Sequence, residues 1–302
     1  MDGTLEAPRA EIAEPELRKP MSASHALQLI ARACIQEIQA HEPRLRRSRL
    51  PESLHQIRVA LRRWRTALSV FGEADGEART KATLKWLVEE LNDARDLDVF
   101  ADAFEARRSG GAGDDALWAA LELARTEAYA RADEALKSDR FRRLLWTGHT
   151  VPQPSDQANQ APSARRAAAA ALDHRWRKLK KRGRKLKGMD AAVRHRLRIQ
   201  AKKVRYTTEL CGELFGHPKR QARMAKTLKR MQDSMGVLND LAVGEAVALR
   251  LARRAGSPEA AFAAGVFVGA RACEEEPAVL KTARAAYRDF AAVDRFWRAG
   301  AG

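Results

Sequence analysis

From Ser22 to Arg47, apolar side chains return every three or four residues, at Ala26, Leu27, Ile30, Ala33, Cys34, Ile38 and Leu45, which is the spacing of one face of an α-helix. Pro51 marks a turn. The period then resumes from His55 to Phe71, with Ile57, Leu61, Trp64, Leu68 and Phe71 gathered on one side, until Gly72 and Asp75-Gly76 supply a stop. A third seam, Leu84, Leu87, Val88 and Leu91, leads into Asn92–Phe100, and the glycines at 110, 111 and 113 interrupt the chain. A fourth helix is predicted over 114–137, followed by the short segment Arg140–Trp146. No run alternates with a period of two between hairpin turns, so the pattern predicts an all-α protein.

After the polar, proline-containing stretch 148–162 the order repeats. A basic helix is predicted over 163–187, then a helix from His195, a third over 218–253 with the seam Met224, Leu228, Met231, Met235 and Leu238, and two more over 258–273 and 277–298. The segment that begins His55-Gln-Ile-Arg returns 140 residues later as His195-Arg-Leu-Arg. A shift of 144 lays Leu84, Leu87 and Leu91 on Leu228, Met231 and Met235, and Arg95-Asp96 on Asn239-Asp240, so one loop differs by four residues. The organisation expected is a mobile tail over 1–21, a four-helix bundle over 22–147, a linker over 148–162 and a second four-helix bundle over 163–302. As products of an internal duplication, the halves are expected to pack on each other.

Charge narrows the function. The chain of 302 residues carries a net charge of +17, and residues 165–205 hold 17 Lys and Arg against 2 Asp. An excess this one-sided points to a polyanionic partner: nucleic acid, anionic lipid or a phosphate polymer. No run of eighteen apolar residues and no signal-like segment stands out, so neither secretion nor a membrane is expected. Cys34, Cys211 and Cys273 lie far apart in apolar patterns and read as reduced core thiols of a cytoplasmic protein.

The charge is also ordered. At 100° per residue His55, Arg58, Arg62 and Arg65 share an arc of roughly 80°, opposite the apolar seam. The second copy presents His195, Arg198, Lys202 and Arg205 at the same offsets, with Arg63 and Lys203 in equivalent places. Like charges one turn apart weaken a helix, so a ladder of them calls for a compensating anion. Arginine suits phosphate oxygens bidentately and lysine as a point charge. The histidines read either as caps bonded to neighbouring groups or as titratable phosphate donors.

Catalytic and metal readings are weaker. Glu52-Ser-Leu-His55 spells a di-iron motif, but Ala192 stands where a second glutamate belongs, and the arginines would repel a dication. Asp93, Asp96, Asp98, Asn239 and Asp240 could hold Mg²⁺ or could cap turns and neutralise arginines; the structural role is favoured. There is no phosphate-binding glycine loop and no nucleophile elbow. No enzyme activity, cofactor or metal is expected. Nucleic acid is the alternative partner, disfavoured because the basic ladders carry few aromatic side chains.

The stretches His55–Arg65, Leu91–Phe100, Arg194–Tyr206 and Met231–Asp240 resemble, in order and spacing, the motifs of the CHAD domain, a histidine-containing α-helical domain. The resemblance extends over about 22–300. It implies a duplicated helical fold of two four-helix bundles that binds inorganic polyphosphate in a basic cavity and associates with polyphosphate granules in the cytoplasm. It implies as ligand-binding residues His55, Arg58, Arg62, Arg63, Arg65, His195, Arg198, Lys202, Lys203 and Arg205. Arg46, Arg47, Lys85, Arg175, Lys178, Arg182, Arg223, Lys226 and Lys229 are further candidates for the cavity wall. Asn92 stands where the family usually has glycine, while Gly236 keeps it in the second half. The Glu-x-Glu-x-Lys signature of the triphosphatase domain sometimes fused to this one is absent, so hydrolysis is not implied.

Overall fold

The computed structural model describes residues 15–72, 77–149, 162–183 and 191–298; the side chains of 148, 149, 191, 192, 194, 238–240 and 274–280 are outside this description. Ten α-helices are described: α1 (Ala23–Ser48), α2 (Pro51–Phe71), α3 (Ala78–Glu90), α4 (Asn92–Glu105), α5 (Ala112–Lys137), α6 (Asp139–His149), α7 (Ala164–Gly183), α8 (Ala191–Cys211), α9 (Pro218–Ala255) and α10 (Pro258–Ala292). Among the described residues there is no strand, only an isolated bridge between Ser22 and Ser163.

Local chemistry sets the ends. Ser22 caps α1 by accepting a hydrogen bond from the His25 N–H at 3.2 Å. Ser163 does the same for α7 through the Arg166 N–H at 3.2 Å. Pro51, Pro218 and Pro258 open their helices, where a missing N–H costs nothing. The two serine caps face each other: the Ala23 N–H donates to the Pro162 carbonyl at 3.0 Å and the Ala164 N–H to the Met21 carbonyl at 2.9 Å. That reciprocal pair is the local geometry of a twofold axis relating the starts of α1 and α7.

Helix order in the two halves corresponds: α1 with α7, α2 with α8, α3 and α4 together with α9, and α5 with α10. Such an order is compatible with internal duplication. The first half departs from the four helices expected. Its third helix breaks at Leu91, so α3 and α4 take the place of one long helix, and α6 is added after α5. In the second half, the two helices expected over 258–273 and 277–298 form the 35-residue α10, which passes through position 277 without a break. A proline there forfeits one backbone bond. Buried contacts on both sides of it, Ala264 and Phe267 before and Ala283, Ala286 and Phe290 after, keep the helix along α9.

The core runs continuously through both halves. Ile57, Leu61 and Trp64 are at most 2% exposed, as are Leu84, Leu87, Leu91, Met224, Leu228 and Met231. Gly113 lets α5 approach α10, because a Cβ there would lie 2.4 Å from the Glu259 carbonyl oxygen. Polar ties also cross between halves. Arg250 meets Asp93 at 2.8 Å, and Arg254 grips Glu127 with two bonds of 2.6 and 2.7 Å. Leu17, within the stretch expected to be a mobile tail, is buried in the core. Residues 1–14 of that stretch and most of the expected linker, 150–161, lie outside the described residues. Cys34 and Cys211 are buried, and burial pushes both thiols up to about 12, with Arg63 opposing at Cys34 and Arg175 at Cys211. Cys273, expected in the core, is exposed, since it falls on the outer face of α10.

Candidate anion-binding site

The amphipathic division of α2 decides what lies beneath the site. Trp64 and its apolar neighbours turn into the first half, and the opposite side packs against α7 and α8 of the second. The two helices with basic ladders are thereby brought side by side, and cations from both halves meet.

At one end are His55, Arg58 and Arg62 of α2 with Arg95 of α4. Partial burial, followed by the charge of Arg95, holds the His55 imidazole below its usual range; Arg62 and Arg58 act the same way, and Glu52 opposes them. The Arg58 guanidinium donates to the Asn92 side-chain oxygen at 2.7 Å and to the Val88 carbonyl at 3.4 Å. Asn92 thus accounts for its own departure from the family's glycine: it supplies a neutral acceptor to the ladder. In the second half the equivalent Gly236 has the Arg198 guanidinium as its near neighbour, 4.0 Å from where a Cβ would be. An arginine therefore lies near the corresponding position in both copies, hydrogen-bonded to it only in the first.

Midway, the rings and charges of the halves touch. Arg62 of α2 lies over the Tyr206 ring of α8 at 4.4 Å from its centroid, and Arg205 lies 5.1 Å from it. Arg205 also reaches Glu209 at 3.5 Å. Burial holds Arg62 below the ordinary arginine value; Arg205 and Arg63 add to that, while Tyr206 and Glu209 oppose it.

At the far end five cations converge from α2, α7 and α8. Partial burial first, then Lys178, Arg175, Arg65 and Arg182, holds the Lys203 ammonium below its usual range. Arg175 bridges the halves, donating to the Ser69 hydroxyl at 2.6 Å and to the Thr207 hydroxyl. Its partners here are hydroxyls and a backbone carbonyl, not carboxylates. Such a cluster offers charge-assisted hydrogen bonds to phosphate or sulfate oxygens.

Not every candidate stands here. Arg46 is engaged by Glu42 at 2.8 Å and Asp133 at 2.9 Å, on the α1–α5 side. Arg47 is exposed and bonds the Pro43 carbonyl. Lys85 pairs with Glu89 and Lys229 with Asp233 within their own helices. Arg223 and Lys226 are exposed on α9. Arg63 turns toward α1 and, with Arg62, Tyr206, Glu209, Ile30 and Gln221, lines a mixed-charge cavity of about 410 Å³. His195 and Lys202 lie on the ladder of α8, exposed and half-buried respectively.

Among the acidic residues, Asp98 is buried and accepts from the Tyr129 hydroxyl at 2.7 Å and from Arg125 at 3.0 and 3.2 Å. Asp93 pairs with Arg131 and Arg250. Asp96 acts on Arg58, raising its pKa against burial. The Asn239 and Asp240 side chains are outside the described residues. Among the described residues no group of three or more His, Cys, Asp or Glu could hold a metal ion.

Two halves of matching helix order, with cations of both gathered along one seam, define an all-helical domain built around a basic interface. The CHAD domain model matches residues 29–249, and the chain belongs to the CHAD domain family. A crystal structure of the CHAD domain from the plant Ricinus communis is similar at 30% identity with a TM-score of 0.75, covering 94% of this chain and 97% of that one. PptA from Streptomyces chartreusis shares the fold, at 23% identity with a TM-score of 0.61 and coverage of 88% and 99%. No curated protein matches the chain.

Proposed function

We propose that this protein binds inorganic polyphosphate without cleaving it, through cations contributed by both halves, and that this binding places it at polyphosphate granules in the cytoplasm. The observation that carries the reading is the cluster around Lys203. Lys178, Arg175, Arg65 and Arg182, the charged groups that act on it most strongly, are all cations, drawn from two helices, α2 and α7, and both halves. A fold spends stability to hold like charges together, and a polymer with a charge on every unit offsets that cost by displacing many counterions at once. Membership of the CHAD family supports polyphosphate as the polymer. Among the described residues no helix is long and apolar enough to cross a membrane.

Nucleic acid satisfies the same charges but is disfavoured by the rings. Trp64 is 2% exposed, and Tyr206 already carries two guanidiniums, so neither offers a free face to a base. Competition separates the two readings. Long-chain polyphosphate is expected to displace labelled polyphosphate at far lower phosphate concentration than DNA or RNA. Equal displacement per phosphate contradicts the assignment. Incubation with polyphosphate and Mg²⁺ is expected to release no phosphate, and stoichiometric turnover would overturn the non-catalytic reading.

A further inference from the structure

We infer that Tyr206 is a positioning residue that holds Arg62 of one half and Arg205 of the other at the point where a bound polyanion passes between the two ladders; this rests on the polyphosphate reading above.

The two guanidiniums repel each other, and Arg205 accordingly lowers the pKa of Arg62. The usual remedy, a carboxylate between them, would fix their positions but neutralise the charge the ligand needs. An aromatic ring does the first without the second. Its face attracts a cation through the quadrupole, yet it brings no net charge to compete with phosphate. Both guanidiniums use the same ring, at 4.4 and 5.1 Å from its centroid. The ring is held in turn from α9, where the Gln232 side-chain N–H donates to the Tyr206 hydroxyl at 3.4 Å. Glu209, the carboxylate nearby, stands on the outer turn of α8 beside Arg205 at 3.5 Å and forms part of the mixed-charge cavity wall with Arg63. Glu209 thus offsets part of the charge of both arginines from the cavity that Arg62 and Tyr206 also line, and the ring, contributed by one half, orients a cation of the other without adding a second carboxylate.

The role follows from the π face, not from the hydroxyl or from volume, which makes it separable from a structural one. Tyr206→Phe keeps the face and is expected to bind long-chain polyphosphate within about twofold of wild type. Tyr206→Leu removes it and is expected to bind about tenfold more weakly. In an Arg62→Gln, Arg205→Gln background, Tyr206→Leu should add no further loss, because the cations it positions are gone. Affinity is measured by fluorescence anisotropy with end-labelled polyphosphate, beside the unfolding midpoint of each variant. If Tyr206→Leu does not fold, Tyr206→Met, which refills the volume without a π face, takes its place. Wild-type binding with equal affinities for the Phe and Leu variants, or a Leu loss that persists in the doubly substituted background, overturns the inference. Absence of wild-type binding overturns the polyphosphate reading itself.

Discussion

Replacing Lys203 with glutamine is expected to stabilise the free protein while weakening its complex. The ammonium is held below its ordinary value by partial burial and by four neighbouring cations. For a base, a folded-state pKa below the unfolded one penalises the protonated fold. The penalty is therefore full at neutral pH and disappears only as pH rises through the folded value toward the unfolded one. Lys203 is exposed enough for solvent to screen each neighbour, so each contributes only about 0.3 kcal/mol, and the four together about 1 kcal/mol. Glutamine removes that repulsion, and for a chain of this size the unfolding midpoint should rise by about 2 °C at low salt. At about 0.5 M salt the screening length falls to about 4 Å and most of the gain should vanish. The same substitution removes a phosphate contact, so polyphosphate affinity should fall roughly three- to tenfold and the slope of log K against log salt should flatten by about one. Urea denaturation and anisotropy titrations at about 0.02 and 0.5 M salt measure both effects. A Lys203→Gln protein that is less stable at low salt, or whose gain is the same at high salt, would show that these cations do not repel one another, and the reasoning would fail.

Three further outcomes follow from the same geometry. Asp98→Ala strands Tyr129 and leaves Arg125 with Glu122 alone, and should cost about 3 kcal/mol in urea denaturation, against about 1 kcal/mol for Tyr129→Phe; a loss below about 1 kcal/mol for Asp98→Ala would mean the network is not integral to the fold. His55 has a folded pKa below its unfolded one, so its contribution to stability is present above the unfolded value of about 6.5 and is lost as pH falls toward the folded value; polyphosphate reverses the preference by favouring the imidazolium. Wild-type affinity should accordingly rise from pH 8 to pH 6 more than that of a His55→Ala, His195→Ala variant, and equal pH responses would refute a role for the histidines. Asn92→Gly removes the neutral acceptor of Arg58 and should destabilise the free protein by about 1 kcal/mol, with the effect smaller when polyphosphate is bound; an unchanged unfolding midpoint would show that the Asn92 contact is idle.

The all-helical fold and the two-sided character of α2 were legible because a 3.6-residue period is a local property: Ile57, Leu61 and Trp64 on one face and Arg58, Arg62 and Arg65 on the other need no tertiary information. What required the fold was the pairing between elements. Arg95 stands three residues after Asn92, whose side chain touches Arg58, but its motif reads locally as a helix turn and nothing in it places Arg95 beside His55. Arg46 and Lys85 have the same charge as the ladder residues, and only the placement of Asp133 and Glu89 separates them. The break at Leu91 and the continuity of α10 through position 277 run against local signals, and at α10 it is packing along the 38-residue α9 that decides. Tyr206 follows the second ladder directly in sequence, but that it serves a cation of the first is visible only with α2 and α8 side by side.

The central claim is that one polymer is gripped by both halves, and salt dependence tests it most directly. Polyphosphate affinity is measured across a tenfold range of salt for wild type, for Arg58→Gln, Arg62→Gln, Arg65→Gln, and for Arg198→Gln, Lys202→Gln, Arg205→Gln. If both ladders hold the same chain, wild type shows a steep linear fall of log K with log salt, and each triple variant loses affinity and flattens the slope by about two to three. A slope that is flat in wild type, or that changes with the cations of one half and ignores those of the other, contradicts the account.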